Sequence, residues 1–450
     1  MGTSSAVQSQ PQPTSKSSIV VLITATTLWP LSARLAVRLI AHGCRVHALS
    51  PWGHALNAVT GMGKVHHYAG FDPLAALEKA IRASRPDVIM PCDDRAVWQL
   101  HELHAGKPDL RELIEASLGA AQGFPVVRCR ARLMEAAKEA GIRVPATGII
   151  RSPGDIQAWF DAHPSTAVVK LDGTWGGSGV KVVRSVEEAA EAWTRFTTPE
   201  ARGTRLKRWT IDRDPLAFWS PAAGRAVTVS IQQFIPGRPA NAMLAARRGA
   251  LLGLVSVEVL CSQGPTGAST VVHLIDDPEI EHIARCLVGK LGLSGFHGLD
   301  FMLEEGSGLP YLIELNARCT QLGHLILPRH GDLAGVLAEA WGACGPARHD
   351  LPIDRGTIAF FPQALAWNPD SPHMQQCHHD VPWSEPALVR ELLRDPWPER
   401  RWLSRVYNRL RGTRRLPLPN PASLLRMAAS DRHLADPLVL GTVKQVTDTR

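Results

Sequence analysis

The sequence predicts a mixed architecture: a Rossmann-like α/β domain, then an α+β region rich in hairpins, then a mainly helical or irregular C-terminal extension. The continuous apolar run Ile19–Thr24 is typical of a strand buried on both faces. Helical spacing over Ala33–His42 and a second strand at Arg45–Leu49 follow it. From Arg130 onward this alternation gives way to paired strands with short connections, which indicates antiparallel pairing.

The α/β pattern continues with a helix over Pro73–Ser84 and a strand over Asp87–Pro91, so we predict a parallel, doubly wound sheet. The first turn lacks G-x-G-x-x-G, and no dinucleotide site is predicted there. Asp93 and Asp94 end the last of these strands. They are interpreted as a helix N-cap or, alternatively, as a substrate contact at the carboxyl end of the sheet.

Composition bounds the class of protein. The 450 residues are enough for about three domains, and 45% apolar residues are enough for buried cores. The net charge of +7 is mild for this length and is compatible with anionic nucleotide substrates. The eight cysteines form no C-x-x-C pair, and residues 1–18 lack the apolar region of a signal peptide. We expect a cytoplasmic enzyme with a disordered tail over 1–18.

A hairpin near residue 306 carries the strongest chemical signal. If the GSG at 306–308 is a three-residue loop, Glu305 pairs with Leu309, and counting back places Asp300 opposite Glu314. Because side chains alternate along a strand, Glu314, Asn316 and Arg318 share one face.

Carboxylate and amide oxygens suit Mg²⁺, so we predict a metal site formed by Asp300, Glu314 and Asn316. Arg318 on the same face is predicted to hold a phosphoryl oxygen during transfer. The alternative interpretation is an acidic strand face with a salt bridge to Arg318.

A glycine-rich loop, KLDGTWGGSGVKVV, lies at the tip of an earlier hairpin. Glycines allow backbone N–H groups to approach phosphate closely. Lys170 lies on the strand that leads into the loop, where it can reach a phosphate. Lys181 on the other arm is a weaker candidate. The residues predicted to contact phosphate are Gly173, Gly176, Gly177, Ser178 and Gly179. G-K-[ST] is missing, so this is not a Walker motif, and a plain flexible turn is the alternative.

Taken in this order, LIELNAR and VVKLDGTWGGSGV resemble the metal strand and the mobile phosphate loop of the ATP-grasp superfamily. The resemblance covers roughly residues 19–342. It implies a pre-ATP-grasp domain over 19–128 and an ATP-grasp domain over 129–345, in which two α+β subdomains hold ATP. It also implies a lid over roughly 145–234, interrupted by an insertion at 197–226, and leaves 346–450 as the extension.

The resemblance also implies roles for individual residues. Lys170 matches the lysine on the ATP phosphates, Asp300, Glu314 and Asn316 match the ligands of Mg²⁺ or Mn²⁺, and Arg318 matches the arginine at the transferred phosphoryl group. Gln233, Phe234 and Ile235 match the adenine hinge. Arg130 stands where a lysine is usual, Gln233 where a glutamate is usual, and Asn241 is a substitute for the acid that holds the ribose.

The implied reaction is phosphorylation of a carboxylate by ATP, followed by attack of an amine. Carboxylase-type or thiol-forming activity and a nucleotide-binding regulator without turnover are the alternatives, and homo-oligomers are possible.

Outside the resemblance, zinc at His373 and Cys377 is disfavoured because no second ligand pair follows. The arginine-rich segment 390–415 is interpreted as a solvated helical extension or as a site for an acidic partner, carrier protein or membrane surface. Nucleic acid is a weaker alternative.

Overall fold

The computed structural model describes residues 18–69, 71–174, 179–212, 214–219, 228–264, 266–327, 331–343, 345, 353, 355–395, 400 and 402–410. The expected disorder of residues 1–18 therefore falls almost wholly outside the described residues. The described helices include none that is long and apolar enough to cross a membrane.

Seventeen strands are described. They are β1 (Val20–Thr24), β2 (Arg45–Ser50), β3 (Val65–His67), β4 (Val88–Pro91), β5 (Thr147–Ile150), β6 (Ala167–Leu171), β7 (Val180–Val183), β8 (Val229–Gln233), β9 (Gly237–Arg247), β10 (Ala250–Ser262), β11 (Ser269–Ile275), β12 (Gly295–Glu304), β13 (Pro310–Asn316), β14 (Ile326–Leu327), β15 (Gly331–Asp332), β16 (Thr357–Phe360) and β17 (His378–Asp380).

The α-helices are α1 (Leu31–Ala41), α2 (Pro73–Ser84), α3 (Asp94–Gly106), α4 (Arg111–Leu118), α5 (Phe124–Val127), α6 (Arg130–Glu139), α7 (Pro153–Ala162), α8 (Val186–Thr197), α9 (Arg202–Thr210), α10 (Pro278–Leu291), α11 (Leu333–Trp341), α12 (Gln363–Trp367), α13 (Pro386–Leu392) and α14 (Trp402–Leu410). Short 3₁₀ turns span Ala55–Ala58, Pro108–Leu110, Ala121–Gly123 and Pro372–Gln375.

The first domain is built on a parallel sheet in the order β3-β2-β1-β4, which confirms the Rossmann-like prediction. Asp93 leaves the carboxyl end of β4 and caps α3, because its Oδ1 accepts a hydrogen bond from the backbone N–H of Ala96. The same carboxylate accepts from the backbone N–H and Oγ1 of Thr26, which leaves the end of β1. The N-cap interpretation is confirmed for Asp93, and this cap joins two strand ends.

Two further sheets form the α+β part. The small sheet has the antiparallel order β5-β8-β6-β7, and the large sheet runs β13-β12-β9-β10-β11-β16-β17. One face of the large sheet packs on α6 and α10 through residues such as Leu244 and Phe301. The opposite face, with Met243 and Val255, packs against α1, α11 and the C-terminal segment.

The C-terminal segment is the main departure from expectation. It contains helices, as predicted, but β16 pairs with β11, and β17 pairs in parallel with β16, so residues beyond 345 complete the large sheet. Buried ion pairs tie this end to the first domain, since Arg34 of α1 and His324 both contact the Asp380 carboxylate, at 2.5 and 2.7 Å. The extension is therefore part of the same packed body as the site described below.

The β12–β13 hairpin confirms the pairing of Asp300 with Glu314 but corrects the turn that was used to derive it. Leu303 pairs with Pro310, and the backbone N–H of Glu304 donates to the carbonyl of Leu309, so Glu305 does not pair with Leu309. A β-bulge at Ile313, between the pairs Phe301–Leu312 and Asp300–Glu314, shifts the pairing by one residue and so brings Asp300 opposite Glu314. A bulge adds one residue to one strand, which offsets the longer turn.

Candidate active site

A cavity of about 940 Å³ lies between the small and large sheets and collects most of the predicted residues. Those that line it are Arg130, Lys170, Gln233, Phe234, Ile235, Asn241, Asp300, Glu314, Asn316 and Arg318. Gly176, Gly177 and Ser178, together with Trp175, lie outside the described residues. Thr174 and Gly179 border that gap, and Gly173 precedes Thr174; neither glycine lines the cavity, but Thr174 and Val180 do. The exposed Lys181 does not.

Strand register sets three polar side chains in a row, which we call the carboxylate row: Glu314 on β13, Asp300 on β12 and Asn241 on β9. Both oxygens of Asp300 accept hydrogen bonds from amides, 2.7 Å from Asn241 Nδ2 and 3.1 Å from Asn316 Nδ2. Asn241 thus orients Asp300 directly, a contact that the sequence did not predict. The row presents carboxylate and amide oxygens, the ligand type that Mg²⁺ prefers.

The two carboxylates have different acidities. Burial raises the pKa of Asp300 to about 6, and the nearby charge of Glu314 adds to this rise. Burial also opposes ionisation of Glu314, but Arg130 and Lys170 outweigh it and hold the pKa of Glu314 below its usual value. At neutral pH both carboxylates are therefore mostly ionised, and the proton that Asp300 takes up at lower pH would compete with a bound cation.

Arg130 is the cation that contacts the carboxylate row at Glu314. It is buried and donates from Nη1 to Asp172 Oδ1 at 3.0 Å and from Nη2 to Glu314 Oε1 at 2.6 Å. Burial raises the pKa of Asp172 to about 6, and the positive charge of Arg130 offsets only part of this rise. A lysine ammonium lacks the planar fork with which Arg130 holds Asp172 and Glu314 at once, so Asp172 is a partner that suits an arginine at this position.

Lys170 is buried on β6, and its Nζ donates to Gln232 Oε1 on the adjacent β8 at 2.7 Å. Burial lowers its pKa to about 8, and the positive charge of Arg130 adds to this fall. The lysine has a neutral partner in Gln232, so its charge is available to an anion that enters the cavity.

Arg318 follows β13 and reaches across to the first domain. Its Nε donates to Asp94 Oδ1 at 3.0 Å, and its Nη2 donates to Asn316 Oδ1 at 3.2 Å. Burial opposes the charge of the guanidinium, but Asp94 outweighs it and raises the pKa of Arg318. Asp94 therefore holds Arg318 beside the carboxylate row, whereas its neighbour Asp93 caps α3.

The hinge end of the cavity is apolar, and we call it the hinge region. It comprises Val168, Val180 and Val182 of the small sheet and Met302 and Ile313 of the large sheet. The bulge turns both Ile313 and Glu314 towards the cavity, so β13 supplies an apolar and an acidic side chain in succession. Ile235 is buried and Phe234 is partly exposed beside this slot.

The glycine loop begins at a backbone conformation that requires glycine. Gly173 has a φ of +75°, and a Cβ added to it would lie 2.0 Å from Trp98 Cη2 of α3. The loop base is thus held closely against the first domain.

In the insertion, residues 213 and 220–226 lie outside the described residues, whereas Asp214 accepts a bidentate contact from Arg95 of α3 at 3.1 Å.

Several site residues were missed from the sequence. Asp172 lies in the glycine-rich loop motif two residues after Lys170, and Gln232 directly precedes the predicted hinge residue Gln233; these positions were the available signal. The cavity is also lined by Gln363, Trp367 and Leu392 of the C-terminal segment, which carries no recognisable motif.

Comparison with known proteins agrees with this geometry. The family model described as ATP-grasp domain matches residues 219–321, the stretch that holds Asn241, Asp300, Glu314, Asn316 and Arg318. The chain contains an ATP-grasp domain. A search of curated proteins finds no match.

Solved structures share the ATP-grasp fold at low sequence identity. N5-carboxyaminoimidazole synthetase from Staphylococcus aureus matches with a TM-score of 0.52 and 14% identity, over 74% of this chain and 80% of its own. The biotin carboxylase domain of Hydrogenobacter thermophilus 2-oxoglutarate carboxylase, solved with MgADP and bicarbonate, gives 0.53 and 15% over 73% and 70%. Campylobacter jejuni biotin carboxylase gives 0.51 and 13% over 74% and 72%. At these identities the matches establish the fold.

In the part of the chain that the structure describes, no three His, Cys, Asp or Glu side chains gather as metal ligands; the carboxylate row itself contributes two carboxylates, with amides beside them. Cys377 Sγ lies 3.8 Å from both ring nitrogens of His379. Helix α14 carries Trp402 and Leu410 exposed beside Arg405 and Arg409. Its predicted acidic partner stays a prediction, and residues 396–399, 401 and 411–415 of that segment lie outside the described residues.

Proposed function

We propose that the protein is an ATP- and Mg²⁺-dependent ligase that phosphorylates a carboxylate and couples the acyl group to an amine. The observation that carries the proposal is the carboxylate row, with Lys170, Arg130 and Arg318 around it in one cavity. The two carboxylates of the row and the amide oxygen of the adjacent Asn316 suit a hard divalent cation, and the three cationic side chains suit a triphosphate.

Each group has a role in the proposed complex. The apolar hinge region fits an adenine ring, with the backbone of Gln233–Ile235 at its edge. Lys170 and the glycine loop bind phosphates, while Asp300, Glu314 and Asn316 hold Mg²⁺, which neutralises phosphate charge when bound. Arg130 orients Glu314 through the 2.6 Å contact, and it is free to contact a phosphate once a metal takes up that carboxylate.

In the reaction, a carboxylate oxygen attacks the γ-phosphorus and ADP leaves with the electrons of the broken P–O bond. The amine then attacks the acyl carbon, phosphate leaves, and the amine loses a proton. Arg318 stabilises the charge that spreads over the transferred phosphoryl group, and Asp94 holds its guanidinium in place.

Carboxylation is the second candidate, because the solved structures of the same fold include biotin carboxylases and N5-carboxyaminoimidazole synthetase. Bicarbonate would then be the acid that receives the phosphoryl group.

The test measures ADP release with Mg²⁺–ATP and pools of carboxylic acids, with bicarbonate as a separate arm. Hydroxylamine serves as a general amine, because it converts an acyl phosphate to a hydroxamate that can be quantified. Acid-dependent ADP release that is lost in Glu314→Ala and kept in Glu281→Ala supports the ligase. Glu281 is the matched control, since it is an exposed carboxylate paired with Arg285 on the surface of α10.

Release that depends on bicarbonate alone indicates a carboxylase. ATP binding with no ADP release in any arm contradicts turnover and favours the nucleotide-binding regulator. Release that persists in Glu314→Ala contradicts the proposed metal site.

A further inference from the structure

The cavity contains a second apolar region besides the hinge region. We call it the distal region, and its principal side chains are Trp29, Val257, Val259, Leu322, Trp367 and Leu392. The hinge region already offers an apolar slot for the single base of ATP. A cavity of about 940 Å³ stands at the upper end of the roughly 300–1,000 Å³ usual for ligand pockets, so it has room for a second organic group.

Strand register separates the two regions. The carboxylate row runs from Glu314 through Asp300 to Asn241, and the next residue in this row is Val257 on β10. Neighbouring strands lie about 4.8 Å apart, so Val257 stands about 10 Å from Asp300 across the sheet. The face of the large sheet thus changes from acidic on β13 and β12 to apolar on β10.

The wall opposite Val257 comes from the C-terminal segment. Ala364 and Leu365 anchor α12 in the core, and Asn368 accepts from Thr270 Oγ1 at 2.5 Å, which fixes the helix against β11. Trp367 at the end of α12 remains 38% exposed while it lines the cavity. An indole held on a packed helix and left accessible within a cavity is a contact surface for a ligand.

The charged side chains at this end are engaged with one another. Arg394 and Arg400 both donate to the Glu391 carboxylate, at 3.1 and 2.6 Å. Gln321 accepts from Ser269 Oγ at 2.9 Å, so the remaining polar rim is neutral. Because two arginines share one glutamate, this rim keeps one net positive charge, and the distal region combines it with an apolar wall, which suits an apolar group carried by an acid.

The position of the region indicates which substrate enters it. Leu322 follows Arg318 by four residues, and Arg318 is the residue assigned to the transferred phosphoryl group. A carboxylate that accepts this phosphoryl group must lie in contact with it, and its remaining atoms then extend into the distal region. We infer that the acid substrate carries a large apolar, preferably aromatic, group that packs against Trp367. This inference rests on the proposed ligase function.

The test uses the full-length protein and a series of acids that differ only in side chain: glycine, alanine, leucine, phenylalanine and tryptophan. Hydroxylamine is the amine, and hydroxamate formation is measured for each acid. Burial of a large apolar side chain predicts a KM for phenylalanine about 10- to 100-fold below that for glycine. Trp367→Ala is expected to remove most of this difference by raising the KM for phenylalanine, with the KM for glycine unchanged.

Trp367→Phe should retain part of the selectivity, because it keeps an aromatic face. Trp402→Ala is the matched control, since this tryptophan is 64% exposed on α14 and does not line the cavity. ATP binding by Trp367→Ala, measured by calorimetry, shows whether the variant keeps its fold.

Equal use of all five acids, use of glycine alone, or selectivity unchanged in a folded Trp367→Ala variant would each overturn the inference while leaving the ligase intact. If bicarbonate or another small acid outside this series supports turnover and none of the five does, the apolar assignment is also wrong. Absence of acid-dependent ADP release with any acid would instead count against the proposed function itself.

Discussion

If buried Lys170 contacts the phosphates of ATP as proposed, ATP affinity should depend on pH around the pKa of this lysine. Lys170 has a pKa of about 8 in the free protein, because burial and the charge of Arg130 disfavour its protonated form. Only protonated Lys170 attracts a phosphate strongly. Affinity should therefore be full below pH 8 and fall as the pH rises above it.

The magnitude follows from this pKa. The apparent Kd scales as one plus the ratio of neutral to protonated lysine, which is about 1.1 at pH 7 and about 11 at pH 9. We expect about tenfold weaker binding of Mg²⁺–ATP at pH 9 than at pH 7, measured by isothermal titration calorimetry. Phosphate groups titrate near pH 6 and contribute little to this change.

Three variants isolate the cause. Lys170→Arg keeps its charge throughout and should flatten the profile. Gln232→Glu places a carboxylate at the 2.7 Å contact, which raises the lysine pKa by about one to three units and moves the fall to higher pH. Lys181→Met removes an exposed lysine on the other arm and should leave the profile as in wild type. A wild-type affinity that is constant from pH 7 to 9, or an equal fall in Lys170→Arg, would refute the reasoning.

Other parts of the site yield further expectations. Arg130→Met leaves the Asp172 carboxylate buried without its cation and should cost about 3–5 kcal/mol of stability in urea unfolding, whereas Arg130→Lys keeps a charge and should cost less. Asp300→Asn should weaken Mn²⁺ binding at least tenfold in a paramagnetic resonance titration, and an unchanged Kd would exclude this residue as a ligand. Gly173→Ala should lower the Tm measured by calorimetry through steric conflict, while Gly106→Ala, with open space around it, should not.

The metal strand could be predicted from sequence because its signal is local. Alternation along YLIELNAR places Glu314, Asn316 and Arg318 on one side, and a short turn must bring the preceding strand beside it. The pairing with Asp300 was right although the assumed turn was wrong, since the bulge at Ile313 offsets the turn's extra residue. The sequence pattern does not reveal the bulge, because the extra residue, Ile313, is an apolar residue like its neighbours in the strand.

Contacts between distant segments were beyond sequence patterns. Asp94 and Arg318 are separated by 224 positions, and nothing near either one indicates the other. Strand β16 is four residues long and β17 is three, too short for a period to be recognised, and their place in the sheet depends on packing against α1 and β11. The C-terminal part of the cavity was therefore not predicted.

The place of β16 in the large sheet has a consequence for the order in which the chain is completed. Translation delivers β11 about eighty residues before β16, so the growing chain carries an uncovered strand edge during that interval. The carboxylate row and hinge region are complete once Glu314 has been made, whereas α12 and Trp367 follow about fifty residues later. A chain interrupted after Arg318 and before β16 would retain the groups assigned to ATP and lack the wall assigned to the acid, and its free edge would favour association with other incomplete chains. The segment that contains β16 and α12 thus both covers the free edge of β11 and completes the pocket.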